Sequence, residues 1–254
     1  LIFISPEIIG YHVSYLDSMK EAFNESEENY ILEGSTKVEA KEYLKLALPM
    51  FFTQLASHAT GVIAALMTGN YSTLHQAAVA TGNMLFWPAF LGIGGTLFIV
   101  TSFVAQSFGA DKKDQIGPIV KQSFWLTIPM IFLFVLYVLN TNFLLDILGT
   151  PDEVKKITSD YMIGLMLGAP ALFLVQPLRS LCEGMKKPLP ISYINGFMVI
   201  INALINYLLI FGKFGFPELG ARGCGIAFVI SSWTSLAMLL IYVKYSSYFK
   251  EINI

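Results

Sequence analysis

Ser192, Asn195, Asn202 and Asn206 recur within residues 189 to 211, an otherwise apolar run of this chain. Their separations of three, seven and four residues keep all four on one face of a helix. A primary amide in hydrocarbon is costly until it finds a partner, so this face must turn into a helix bundle or a wet cavity. Two chemistries fit. The amide oxygens line a site for a cation or proton, or the amides act as interhelical hydrogen-bond glue at about 0.6 kcal/mol per contact. His58 lies about 12 residues, roughly 18 Å, into another apolar run, near mid-membrane depth. It is the one mid-span side chain that titrates near neutrality, which makes it a proton-carrying candidate; a neutral, hydrogen-bonded imidazole is the alternative. Gln54, Asn83 and Gln176 can line a cavity by the same logic, although Asn83 reads as local packing. His75 falls in a short polar connection and reads as solvated.

Other chemistries find no support. No His and carboxylate spacing suits a metal, no nucleophile elbow is present, and no glycine-rich loop cradles phosphate. No catalytic residue, metal site or cofactor is expected, and the protein does not read as an enzyme. Cys182 and Cys224 have no framework spacing and read as inert packing. No basic stripe points to nucleic acid.

These residues must be positioned by helices in a bilayer. Hydrophobic residues form 55% of the chain and charged residues 13%, against about 45–50% and about 25% in soluble domains. Apolar stretches near 46 to 67, 79 to 103, 122 to 145, 161 to 178, 189 to 211 and 224 to 243 approach or exceed the roughly 20 residues a spanning helix needs. None contains Asp, Glu, Lys or Arg. Near-continuous apolarity in 126 to 139 and 198 to 211 argues against the alternation of a spanning barrel. The fold class is therefore an all-α integral membrane protein, a six-helix bundle.

Basic residues near the spans are retained on the cytoplasmic side. Lys37, Lys41, Lys45, Lys112, Lys113, Lys121, Arg179, Lys186, Lys187, Lys244 and Lys250 fall on one side, with Lys155, Lys156, Lys213 and Arg222 on the other. Both termini are accordingly expected in the cytoplasm of a cell whose plasma (inner) membrane holds the bundle. The connections then run as 68 to 76 outside, 109 to 118 inside, 146 to 160 outside, 179 to 188 inside and 212 to 222 outside. Gly164 and Gly168 form a G-x-x-x-G pair, and Gly92, Gly94 and Gly95 a second point of close approach. Pro49, Pro88, Pro129, Pro170 and Pro177 lie in or beside spans and suit kinked helices around a cavity.

Residues 1 to 42, with Glu25, Glu27, Glu28 and Glu33, read as an acidic, partly disordered cytoplasmic extension. Within it, residues 1 to 18 read as an upstream extension or fragment edge, since Leu1 to Ile9 is too short to span and lacks the basic start of a signal peptide. Residues 43 to 245 form the six-helix unit. Residues 246 to 254 are a cytoplasmic tail or the start of a linker.

Five runs carry a resemblance: YLKLALP (43 to 49), LMTGNYSTLHQAAVA (66 to 80), FVAQSFGADKK (103 to 113), FLVQPLRSLCEGM (173 to 185) and FGKFGFPELGARGCGIA (211 to 227). In order and interval they resemble the NorM-type branch of the MATE family of multidrug and toxic compound extrusion transporters, over about residues 43 to 243. The resemblance implies an antiporter of two six-helix lobes that exchanges organic cations for Na⁺ or H⁺. This chain resembles the first lobe only, so the implied partners are the bilayer, an organic cation and a second six-helix lobe.

The resemblance also implies site residues. The family's N-lobe site uses an Asp on the first helix and two amide or acidic residues one turn apart on the fifth. Asn202 and Asn206 match the fifth-helix pair. Ala64 stands where the Asp is expected, and Phe228 where a sixth-helix Thr is common. His58 does not replace the carboxylate, since six residues set it about 120° around the helix and about 9 Å along it from Ala64. Without that charge, this lobe is expected to bind coupling ions poorly alone. Glu183 matches a position usually acidic in the branch and is expected to pair with Arg179, four residues earlier, as a cytoplasmic gate or structural latch. Two alternatives stand beside the antiporter: a lipid-linked oligosaccharide flippase of the same superfamily, disfavoured by the lack of Lys and Arg in the apolar stretches, and a truncated or degenerate module that does not transport.

Overall fold

The computed structural model describes residues 36–249 and Ile252; the acidic stretch over residues 1–35 and the remaining C-terminal residues lie outside the described residues. By packing, the chain divides into Leu1–Leu48 and Pro49–Ile254. In the first of these, the described part from Thr36 is helical, so the helix begins inside the stretch read as an extension.

Helices run as α1 (Thr36–Tyr71), α2 (Thr73–Gly94), a 3-10 turn (Gly95–Phe98), α3 (Ile99–Gly109), α4 (Lys113–Leu139), α5 (Thr141–Ile147), α6 (Asp152–Gly184), α7 (Leu189–Phe211) and α8 (Ala221–Tyr245). Six helical stretches are long and apolar enough to cross a bilayer: Ala47–Tyr71, Thr73–Gly109, Lys113–Leu139, Asp152–Gly184, Leu189–Phe211 and Ala221–Tyr245. No strand occurs among the described residues. The connections are shorter than the apolar runs suggest. The stretch 68 to 76 is helical except at Ser72, which adopts extended φ −166° and ψ 136° and so ends one helix and begins the next. Likewise α4 starts at Lys113 and α6 at Asp152. At 33 residues, α6 is about 50 Å long at 1.5 Å per residue, so its polar ends stand outside an apolar layer of about 30 Å.

Within Pro49–Ile254, α6 is the central element, packed against α8, α2, α4 and α3, while α7 packs on α8. Close approach explains the α6–α8 pair. A Cβ on Gly164 would lie 2.6 Å from the Gly225 Cα, and one on Gly168 would lie 2.5 Å from the Phe228 ring. The G-x-x-x-G face therefore receives backbone at one notch and an aromatic ring at the other. Of the second glycine group only Gly94 is crowded, against Phe173; Gly92 and Gly95 face open space. Gly212 ends α7 in the left-handed region at φ 60°, its N–H returning to the Leu208 carbonyl.

Two apolar clusters fill the bundle. One stacks Phe86, Phe90, Phe134 and Phe173 around Leu165 and Ala64. The other gathers Val104, Ile116, Leu178, Leu181, Cys182 and Met198 at the end carrying the lysines of the α3–α4 and α6–α7 turns, called here the basic end. Phe249 and Ile252, from the stretch read as a tail, are buried in this second cluster. Cys182 and Cys224 are both buried free thiols.

Candidate functional site

The fifth-span amides join into a directed chain. Asn206 Nδ2 donates to Asn202 Oδ1 at 2.7 Å, and Asn202 Nδ2 donates to Ser231 Oγ of α8 at 3.0 Å. Their four-residue spacing on α7 stacks the two amides one turn apart, and α8 brings the hydroxyl. Both asparagines are buried, at 4% and 1% exposure. Turning the Asn206 amide over by itself would oppose two carbonyl oxygens. The arrangement leaves Asn206 Oδ1 enclosed with no donor among the described residues. Such an unpaired oxygen costs about 1–3 kcal/mol, and a cation or a proton donor is the chemistry that relieves it.

The rest of the polar stripe parts company with this pair. Asn195 is half-buried and makes no side-chain hydrogen bond among the described residues. Ser192 turns to the first span, where its Oγ lies 2.8 Å from Thr53 Oγ1 and donates to the Pro49 carbonyl at 2.7 Å. Helical phase alone cannot separate these roles, since the four residues share a face but meet different neighbours.

Ala64 is 9% exposed and belongs to the aromatic cluster, with its carbonyl accepting the Thr68 hydroxyl at 2.8 Å. No fixed charge stands at this position. Phe228 lies edge-on to Phe86 with ring centroids 5.5 Å apart. The hydroxyl that the resemblance puts at that position is missing, but Ser231, one turn further along α8, supplies one to Asn202. Sequence reasoning passed over Ser231. Its signal was Ser231-Ser232, a polar pair inside the apolar run of α8.

His58 is exposed on the first span. Gln176 is buried at 7% exposure, without a side-chain hydrogen bond among the described residues. Asn83 accepts the Tyr161 hydroxyl at 3.0 Å. His75 is not the solvated loop residue its neighbours suggest. It sits in the first turn of α2, and its Nδ1 accepts the Ala221 N–H at 3.0 Å.

A charged node stands at the basic end. Arg179 Nε donates to Glu183 Oε1 at 2.6 Å, with the two side chains 21% and 11% exposed. Its Nη2 donates to Gln54 Oε1 on the first span at 3.2 Å. Two helices of Pro49–Ile254 are thereby clipped together by one guanidinium fork. Among the described residues, no three His, Cys, Asp or Glu side chains gather as metal ligands would.

With this geometry in view, the likenesses to known proteins are specific. A family model described as MatE matches residues 49–208. The multidrug resistance protein MdtK of Klebsiella pneumoniae subsp. pneumoniae is 34% identical over 218 residues, covering 85% of this chain and 48% of that protein. MdtK of Yersinia enterocolitica is 36% identical over 210 residues, covering 81% and 45%. The chain therefore spans about half the length of the relatives it matches. Among solved structures, the Vibrio cholerae MATE transporter VcmN in its bent form superposes with a TM-score of 0.71 at 22% identity, over 87% of this chain and 50% of that one. The eukaryotic MATE transporter AtDTX14 gives 0.67 at 22% identity, over 85% and 47%. An all-helical bundle with six membrane-length spans, matched by the family model and by relatives above 30% identity, places this chain in the MATE family of membrane transporters, which are not enzymes.

Proposed function

We propose that this chain is one six-helix lobe of a secondary antiporter that exports organic cations in exchange for Na⁺ or H⁺, completed by a second six-helix lobe. The observation that carries the coupling half of this reading is the Asn206–Asn202–Ser231 chain, which ends on a buried amide oxygen that has no donor among the described residues. Two amide oxygens without a carboxylate offer a cation coordination but little charge compensation. Ala64 therefore makes this lobe a weak ion binder alone. The multidrug resistance named for the MdtK relatives supports the export half. The lack of Lys and Arg in the mid-membrane stretches favours a cationic cargo over an anionic lipid-linked sugar.

In this reading the bundle lies in the plasma (inner) membrane with both termini cytoplasmic, since the basic end carries Lys112, Lys113, Lys186 and Lys187. The Arg179–Glu183–Gln54 node is then a cytoplasmic gate that ties the first span to the fourth. His58, exposed on the first span, is a candidate for carrying a proton through the cavity, and Asn195 and Gln176 for lining it.

Ion-driven dye efflux from vesicles separates the parts of the proposal. Vesicles holding this chain alone are expected to show little efflux, and vesicles holding it with a second lobe substantial efflux. Introducing Ala64→Asp in the two-lobe protein should strengthen coupling. Robust efflux by the chain alone contradicts the half-site argument, and an unchanged rate with Ala64→Asp removes the first-span position from the site.

A second reading, a module that does not transport, draws on Phe228. Its ring is wedged into the Gly168 notch where the resemblance expects a hydroxyl. Absence of efflux in the two-lobe vesicles would favour it.

A further inference from the structure

His75 takes part in neither the amide chain nor the charged node, yet it is held from three directions. Its Nδ1 accepts the N–H of Ala221, the first residue of α8, at 3.0 Å. The Tyr71 ring meets the imidazole nearly perpendicular, with centroids 4.9 Å apart. On the α8 side, Gly220 adopts φ 54°, and a Cβ there would lie 2.6 Å from His75 Nδ1 and Cε1. The ring thus rests on bare backbone, in a cradle that only glycine leaves open.

The direction of the hydrogen bond defines the chemical state. An imidazole nitrogen that accepts a backbone N–H carries a lone pair, so His75 is neutral with its proton on Nε2. Protonating Nδ1 sets a donor against a donor. It also puts a cation at the N-terminus of α8, where the unpaired N–H groups already carry partial positive charge. Both effects act in one direction: the contact exists with the neutral ring and is lost as the pH falls through the imidazole's titration.

We propose that His75 is a proton-binding site that works as a latch, tying the start of the second span to the start of the sixth when neutral and releasing Ala221 when protonated. The charged and titratable groups around it fit this use. From the first span comes Tyr71, and beside Tyr71, from the α7–α8 connection, lies the Glu218 carboxylate. On α8 the adjacent Arg222 is turned away, its Nη2 donating to Asp160 Oδ2 of α6 at 2.6 Å. The released imidazolium thus has a carboxylate one ring away, while the neighbouring guanidinium is already paired. The consequence is directional, because α8 also carries Ser231, the hydroxyl that receives Asn202. Freeing the N-terminus of α8 loosens the helix that holds one end of the amide chain. The latch stands apart from the efflux reading, and its readout is local.

The test uses the full chain in lipid nanodiscs, with isotope-labelled histidine to follow the His75 ring and hydrogen exchange to follow the Ala221 amide, from about pH 8 to about pH 5. Relative to the ordinary pH trend of neighbouring amides, Ala221 is expected to lose about fivefold to tenfold of its protection, with the midpoint of the His75 ring signal. His75→Gln offers an acceptor that does not titrate and should keep protection across the range. His75→Phe fills the space without an acceptor and should exchange fast throughout. Protection that stays constant while the ring protonates, a ring still neutral at the acidic limit, or a pH step that persists in His75→Gln each overturns the latch. The last holds even if His75→Phe fails to fold.

Discussion

The first and fourth spans are both long apolar helices interrupted by proline, but they are held by different forces. The fourth, α6, is packed on α8, α2, α4 and α3, and its glycines admit a backbone and a ring at distances no side chain tolerates. The first span buries a narrow stripe, Pro49, Thr53, Ala64 and Thr68, while Phe51, Phe52, Leu55, Val62 and Leu66 remain exposed. Its hydrogen bonds to the other spans run from Thr53 and the Pro49 carbonyl to Ser192 and from Gln54 to Arg179, beside the apolar contacts of Ala64 and Tyr71. In lipid, apolarity does not hold one helix against another, because acyl chains are an equivalent neighbour. Shape fixes the fourth span. Hydrogen bonds carry a larger share of the positioning of the first.

That contrast can be broken at several points. The largest loss is expected from Gly164→Val, whose added carbons meet the Gly225 backbone. Overpacking there should cost about 1–3 kcal/mol and lower the thermal unfolding midpoint of the purified chain. An unchanged midpoint would mean that α6 and α8 do not approach as closely as the glycines suggest. Next comes Glu183→Gln, which strands the Arg179 guanidinium. With side chains 21% and 11% exposed, a loss of about 1–2 kcal/mol is expected, less than for a fully enclosed pair. High salt should reproduce only a small part of that loss if the pair is as sheltered as its exposure indicates.

The amide chain supplies an asymmetric test. Asn202→Leu leaves Asn206 Nδ2 and Ser231 without their partner and should cost about 1–2 kcal/mol in the same melt. Asn206→Leu also removes the unpartnered oxygen and should fall within about 1 kcal/mol of the parent. Equal losses at both sites would show that Asn206 Oδ1 is satisfied. The smallest change in stability, about 0.5 kcal/mol, belongs to Ser192→Ala. Spin labels on the first and fifth spans should nevertheless report a broader distance distribution for that variant. A distribution unchanged from the parent would mean that the first span is packed as firmly as the fourth.

Much of this architecture is legible in the amino-acid sequence, and the boundaries show where legibility ends. Hydropathy marks the part of a helix that meets hydrocarbon, so it located the core of every span and missed helical ends such as Asp152 to Asp160, which are polar. The residues Gly69, Asn70, Ser72 and Thr73 look like a loop by composition, yet only Ser72 leaves the helix. At the site, periodicity aligned Ser192, Asn195, Asn202 and Asn206 but could not say that the first of them reaches Pro49 while the last two pair with each other. His75 was misread for the same reason: its partner, Ala221, lies 146 residues away.

By itself, the sequence determined that this chain lives in a membrane as apolar helices and that its mid-span polar groups are amides, hydroxyls and one imidazole, with an uncharged alanine at the position where the resemblance implies a carboxylate. Composition and period are sums over local residues, and they suffice for such conclusions. Only the tertiary structure decided that Asn202 finds Ser231, that Asn206 Oδ1 finds no donor among the described residues, that Arg179 reaches Gln54 and that His75 closes the start of α8. Each of those depends on which helix faces which, and helices in lipid choose their neighbours through notches and hydrogen bonds that hydrophobicity does not encode.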